Sequence, residues 1–227
     1  MGVTFLIGNG FDLNLGMKTR YTDMYDSYIK SESKSTVIYK FKKDLQKEEH
    51  NHYQNWSDFE MGMAKYAQNF TNENEFIECI RDFKAHMVDW LKREEDVLLK
   101  DLWSKIDYNK TRESVLNSQS GCTPNNQYNI LKVMFVNGVC RFNFITFNYT
   151  TILDKILFEI SGQHEAIGKN RYIIEDNVIH IHGDLYHDVV LGVDNKNQVR
   201  SSFDITRKTD MAFIKPAFND AFDHRRV

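Results

Sequence analysis

The chain lacks long apolar runs, paired cysteines and an excess of positive charge, and each absence removes a class of protein. No stretch approaches the ~20 consecutive apolar residues that cross a bilayer, which excludes a helical membrane protein. Three cysteines, Cys79, Cys122 and Cys140, are odd in number, far apart and without a Cys-x-x-Cys pair. That pattern supports neither a disulfide framework nor a cysteine zinc site. Lys and Arg number 29 against 32 Asp and Glu, a net charge of -3, so a general nucleic-acid coat is not expected, because affinity for phosphate backbones rests on surplus cations. Local basic patches such as Arg225-Arg226 remain. Internal repeats, low-complexity tracts and a Ser-His-Asp arrangement are also lacking. Gly2 leads straight into an apolar run at Val3 and leaves no room for a leader; a soluble, cytoplasmic protein is expected.

What is present is a globular composition, 41% hydrophobic and 13% aromatic over 227 residues, enough for one sizeable core or a core plus an inserted subdomain. Val3 to Ile7 is short, apolar and rich in large residues, the pattern of a strand buried on both faces in a parallel sheet. It stops at Gly8-Asn9-Gly10, where two glycines permit a sharp turn and remove the Cβ atoms that would keep a ligand's phosphates from the peptide N–H groups. Leu13 stands where the dinucleotide fingerprint has its third glycine; a tight strand-to-helix turn without a ligand explains the same residues. A loop of about ten residues is expected next, then a helix capped by Thr22.

Apolar spacing predicts helix from Thr22 to about Asp44, broken around Ser31 to Ser35, and another from Trp56. Ser57 and Glu60 stand in capping-box relation, and Asp58 suits a first helical turn. Phe76 to Trp103 carries the longest apolar stripe, Asn109 to Gln127 reads as a loop, and Tyr128 to Val136 as helix. Phe142 to Phe147 is a strand, Ile152 to Ile160 an amphipathic helix, Val178 to Gly183 a strand ending on glycine, Val189 to Leu191 a short third, and Lys208 to Phe222 helical again. Alternating strands and helices indicate an α/β fold with a mainly parallel sheet, one domain over 1–227 with a helical insertion or lid at about 44–127.

In such sheets, ligands bind at the carboxyl ends of the strands. Those ends carry Asn9 and Asp12, Asn148 and Thr150, and His182 with Gly183. Asn148 can hold a carboxamide or orient water, or simply cap the following helix. His182 titrates near neutrality and can serve as a base; His180 lies deeper and reads as structural. His180, His182 and His187 lack a carboxylate or cysteine placed to complete a metal site, and no metal is expected.

Leu6-Ile7-Gly8-Asn9-Gly10-Phe11-Asp12-Leu13, with Gly16, Thr19 and Tyr21, resembles the N-terminal signature of the AbiH-like bacteriophage abortive-infection family. Trp56-x-Asp58-x-Glu60, Phe147-Asn148-Tyr149-Thr150 and His180-x-His182-Gly183 are similar to its later blocks. More distantly, Gly8-x-Gly10 with Gly16, Thr146-x-Asn148 and His182-Gly183 resemble the sirtuin-like NAD-binding group. These resemblances imply a Rossmann-like, sirtuin-like sheet and an antiphage role in which NAD is bound or hydrolysed at its nicotinamide glycosidic bond. They imply a catalytic set of Asn148, His182 and Asp12, with Gly8, Asn9, Gly10, Phe11, Thr146, Thr150 and Gly183 around the nucleotide. They also imply a phage-derived or host trigger protein, leaving oligomeric state open. Thr150 stands where the sirtuin pattern has aspartate, and the paired zinc cysteines are absent, which argues against a protein deacylase. Family members would continue past residue 227, so a short form or an incomplete adenosine pocket is expected. The alternatives are a nucleotide-sensing or partner-binding module without chemistry, and a nuclease using Asp12, Asp58 and Glu60 with a divalent metal.

Overall fold

The computed structural model describes residues 2–47, 56–101, 103–122, 139–161, 165–167 and 170–215. Four strands form one sheet: β1 (Gly2–Ile7), β2 (Val139–Thr146), β3 (Glu165–Ile167) and β4 (Asn170–His180), in the order β1-β2-β4-β3. β1 pairs parallel to β2 and β2 parallel to β4, while β3 runs antiparallel at the far edge. Ile7, Thr146 and His180 lie in register, so three chain segments leave the sheet side by side along one edge.

The expected strand at the N-terminus is present, but it is not buried on both faces. Val3, Phe5 and Ile7 are half-buried while Thr4 and Leu6 are exposed, Leu6 by 64%. β1 is an edge strand, and only the face carrying Phe5, stacked on Phe144 with ring centroids 5.1 Å apart, joins the core. β2 is the central strand, and its Cys140, Phe142 and Phe144 are buried.

The turn after β1 enters a short helix directly, α1 (Gly10–Asn14), rather than the expected ten-residue loop. Two helices follow, α2 (Tyr21–Lys30) and α3 (Thr36–Lys47), with the break where serines were expected to place it. Thr22 lies inside α2; the N-cap is Arg20, whose N–H donates to the carboxylate of Asp23 in the first turn at 2.9 Å. α4 (Trp56–Tyr66) and the 29-residue α5 (Glu73–Asp101) complete the helical layer. The start of α5 anchors the chain's later part: Glu73 accepts from the backbone and hydroxyl groups of Thr206 and Thr209, closing the N-terminus of α8 (Arg207–Phe213). α8 stops at Phe213; the rest of the helix expected to Phe222 lies largely outside the described residues.

Residues 108–122 form a helix, α6 (Tyr108–Cys122), where a loop was expected. Asp107 caps it, its Oδ1 accepting the Lys110 N–H at 3.0 Å. Leu116 is buried against the sheet with Tyr108 and Val115 beside it, and the polar composition of the segment masks the helical period. The helix expected at 128–136 lies outside the described residues. α7 (Ile152–Ile160) follows β2. Leu153, Leu157 and Ile160 meet the sheet core, and Ile152 and Ile156 meet Leu98 and Met17.

Two further expectations are corrected. β4 begins at Asn170 and ends at His180, so Ile181 and His182 lie in the turn beyond it. Val189 to Leu191 pairs with no strand: Val189 and Leu191 are buried in the helical core instead, and Val190 N donates to the His182 carbonyl at 2.8 Å. That core is strongly aromatic. Phe59 and Phe83 stack at 4.0 Å, Tyr21 stacks on Phe59 at 4.6 Å, and Tyr28 meets Phe83 edge-on at 4.9 Å.

Candidate functional site

The three segments leaving the parallel strands build a buried polar cluster. Thr146 at the end of β2 donates its hydroxyl to the Ile7 carbonyl at 3.2 Å and accepts the Asn148 N–H at 3.1 Å. This ties β1 to the following loop and aims Asn148 inward. Asn9 locks the glycine turn to the loop before α2: its Oδ1 accepts from the Thr19 hydroxyl at 2.6 Å and its Nδ2 donates to the Thr19 carbonyl at 3.1 Å.

A small cleft of about 40 Å³ opens between these parts, lined by Asn9, Asp12, Thr19, Leu91, Phe147, Asn148, Tyr149 and Thr150. Asp12 projects from α1 and is 1% exposed. One of its oxygens accepts from the Thr150 hydroxyl at 2.7 Å; the other is buried without a partner. Burial pushes this carboxyl up to about 6, against the lowering effect of the Thr150 hydroxyl and the Asn148 amide. Glu95 raises it slightly and His180 lowers it. Asn148 is 6% exposed, and neither its amide oxygen nor its amide nitrogen finds a hydrogen-bond partner among the described residues. The amide therefore stands close enough to favour the Asp12 carboxylate but without hydrogen-bond geometry to it. Buried polar atoms are nearly always satisfied, and here three in one cleft find no hydrogen-bond partner among the described residues. Asn148 is also not a helix cap, since Thr151 precedes α7 and makes no side-chain cap bond.

Around this cleft lies a second tier. Glu95, buried on α5, accepts from the Thr151 N–H and lies 3.6 Å from Lys155 Nζ, with the Tyr186 hydroxyl donating to it at 3.3 Å. His180 contacts the Asn148 carbonyl and Asp154 Oδ2, each at 3.0 Å. Burial works against charge on His180, but the bond and charge of Asp154, with the Asn148 carbonyl, raise its pKa.

The structure brings together Asn9, Asp12, Asn148 and Thr150. It does not bring His182 into the cleft. That ring is not among the lining residues and stands 5.9 Å from the ring of Phe147, which is; burial, with the Lys215 charge, pushes it down to about 4. His182 is neutral at pH 7 and a weak base. Gly8 and Gly10 border the cleft through Asn9; both are exposed, and a Cβ on either would meet nothing within 4 Å. Packing thus gives no reason for glycine there. Phe11 packs against the sheet core, and Thr146 is spent on backbone bonds. Gly183 has a backbone reason of its own: its φ is +74°, and a Cβ would lie 2.0 Å from the Asp188 carbonyl oxygen.

The Ser57 side chain of the expected capping box lies outside the described residues, but the contacts of Glu60 lead elsewhere. Its Oε1 accepts from the Gly192 N–H at 3.1 Å and its Oε2 from Lys215 Nζ at 2.7 Å, which places it in the seam between α4 and the chain around α8. It does not meet Asp12 there, and no group of three metal-capable side chains gathers among the described residues; the Asp58 side chain lies outside them. Glu95 and Asp154 escaped the sequence reading. Glu95 had left a signal, an acid on the stripe Met87, Leu91, Glu95, Leu98, at a position whose spacing demands an apolar residue.

Residues 4–224 match the family model described as Bacteriophage abortive infection AbiH. The chain belongs to the AbiH family. That membership supports a role in abortive infection by bacteriophage. Neither a curated protein nor a solved structure matches the chain. No helix among the described residues is long and apolar enough to cross a membrane.

Proposed function

We propose that this AbiH protein hydrolyses the nicotinamide glycosidic bond of NAD at the strand-end cleft, and that this depletion is its contribution to abortive infection. The observation that carries the reading is the orphaned Asn148 amide beside a carboxyl whose pKa is raised to about 6. An amide with a free donor and acceptor matches a carboxamide or a ribose hydroxyl. A carboxyl titrating near neutrality suits proton transfer at cellular pH.

The space of about 40 Å³ admits only the reacting end of a ligand in its present shape. A dinucleotide would have to widen it at Phe147, which is 40% exposed, and lay its phosphates over the bare turn at Gly8 and Gly10. In the reaction the bond from ribose C1′ to the pyridine nitrogen breaks, its electron pair leaving with nicotinamide. Water adds at C1′ and gives its proton to Asp12, which first stabilises the cationic ribose electrostatically. The base role expected of His182 passes to Asp12 on this reading, because His182 lies outside the cleft.

The test is nicotinamide release from NAD by purified protein, alone and with lysate of phage-infected cells, comparing wild type with Asn148→Ala. Release that disappears in the variant while the fold persists supports the proposal. Tight nucleotide binding without turnover would select a sensing module in its place.

A further inference from the structure

The ring of His180 is held between two groups that can only accept. Its Nδ1 lies 3.0 Å from the Asn148 carbonyl oxygen and its Nε2 lies 3.0 Å from Asp154 Oδ2. A neutral imidazole has one N–H and one lone pair, so it would set a lone pair against an oxygen at one of these contacts. His180 is 4% exposed, and water has little access to relieve such a clash. An imidazolium, with a proton on each nitrogen, satisfies both. The side chain of Asp154 keeps 35% of its surface open to water, which lets this carboxylate hold its charge more cheaply than a fully buried one.

We propose that His180 is a positioning residue for the cleft: a buried imidazolium, held by Asp154, that fixes the Asn148 peptide and sets a positive charge behind Asp12. The proposal rests on the cleft being the site of chemistry. Its place in the fold suits the role, because His180 closes β4 in register with Thr146, and Thr146 is the residue that ties Asn148 to β1. The charged groups that act on it include Asp154 from α7, Asp184 from the turn after β4 and Asp12 from α1, with Glu95 of α5 acting on Asp12. Loss of one His180 proton would leave a single N–H for two acceptors, at the expense of the Asn148 carbonyl where the remaining proton faces Asp154, and would remove a charge that favours the Asp12 carboxylate. Activity should therefore fall on the alkaline side as His180 titrates, and on the acid side as Asp12 protonates.

The test uses the full chain labelled at histidine nitrogens and aspartate carboxyl carbons. Near pH 7 both His180 nitrogens should report protons. Asp154→Asn keeps an acceptor and removes the charge, so it should bring His180 to a single proton near pH 7 and move the Asp12 midpoint upward by roughly half a pH unit or more. The alkaline limb of nicotinamide release should shift to lower pH in the same variant. A single proton on His180 in wild type, or an Asp12 midpoint unmoved by Asp154→Asn, overturns the proposal. The spectra need no substrate: imidazolium signals without nicotinamide release would sink the hydrolase reading and leave the charge arrangement standing.

Discussion

Two buried regions meet at Leu91 and Tyr149, which line the cleft and also belong to the helical core, and they are built on opposite rules. The helical core fills its space with stacked rings, and its buried Lys42 and Tyr28 are bonded: Lys42 donates to Ser31 and Glu32, and Tyr28 donates to Asp82 at 3.1 Å. The strand-end cluster is equally dry, yet it keeps a carboxyl out of its ordinary range and an amide with no partner. A chain selected for stability alone would not retain that second arrangement, because an orphaned buried polar group costs about 1–3 kcal/mol.

Substitutions in the two regions should diverge. Phe83→Ala removes a ring packed between Phe59 and Tyr28 and should cost about 3–5 kcal/mol, visible as a large fall in denaturation midpoint. Asp12→Asn should act in the opposite direction. The folded pKa of Asp12, about 6 against an ordinary 3.8, means that ionisation of this group opposes folding by on the order of 3 kcal/mol. The amide would keep an acceptor for Thr150 and shed the charge, raising stability while abolishing nicotinamide release.

Smaller effects sharpen the same comparison. Asn148→Ala deletes no hydrogen bond made by the side chain, so calorimetry should find stability within about 1 kcal/mol of wild type, while nicotinamide release is lost. Gly10→Ala should be the mildest. The position opens α1 with clear space around it, so the fold should gain about 0.4–1 kcal/mol while affinity for NAD, measured by titration, declines. A bare turn that tolerated alanine with no loss of affinity would remove the phosphates from the account.

Much of this division was legible in the sequence. The break between α2 and α3, the length of α5 and the limits of α7 follow from apolar spacing, and the strand ends carrying Asn9, Asp12, Asn148 and Thr150 stand out in the sequence as polar residues directly after expected strands. Three things were not legible, each for a physical reason. The polar composition of α6 hides its period. Glu60 was given to its neighbour Ser57, since local capping rules are blind to Lys215, 155 residues away. His182 was preferred to His180 because it borders a glycine, whereas sheet register places His180 beside the cleft and leaves His182 beyond the strand. Register is a long-range property, and a single sequence does not carry it.

The central claim is that the strand-end cleft sacrifices stability for chemistry, and Asp12→Asn tests it most directly when stability and nicotinamide release are measured on the same samples across pH. A group with a raised acid pKa loses stability for the fold as pH climbs from its unfolded value, 3.8, through its folded value near 6. The variant should therefore be the more stable protein at pH 8, lose most of that advantage near pH 4, and release no nicotinamide at either. A variant that is less stable than wild type at pH 8, or that still cleaves NAD, would contradict the account.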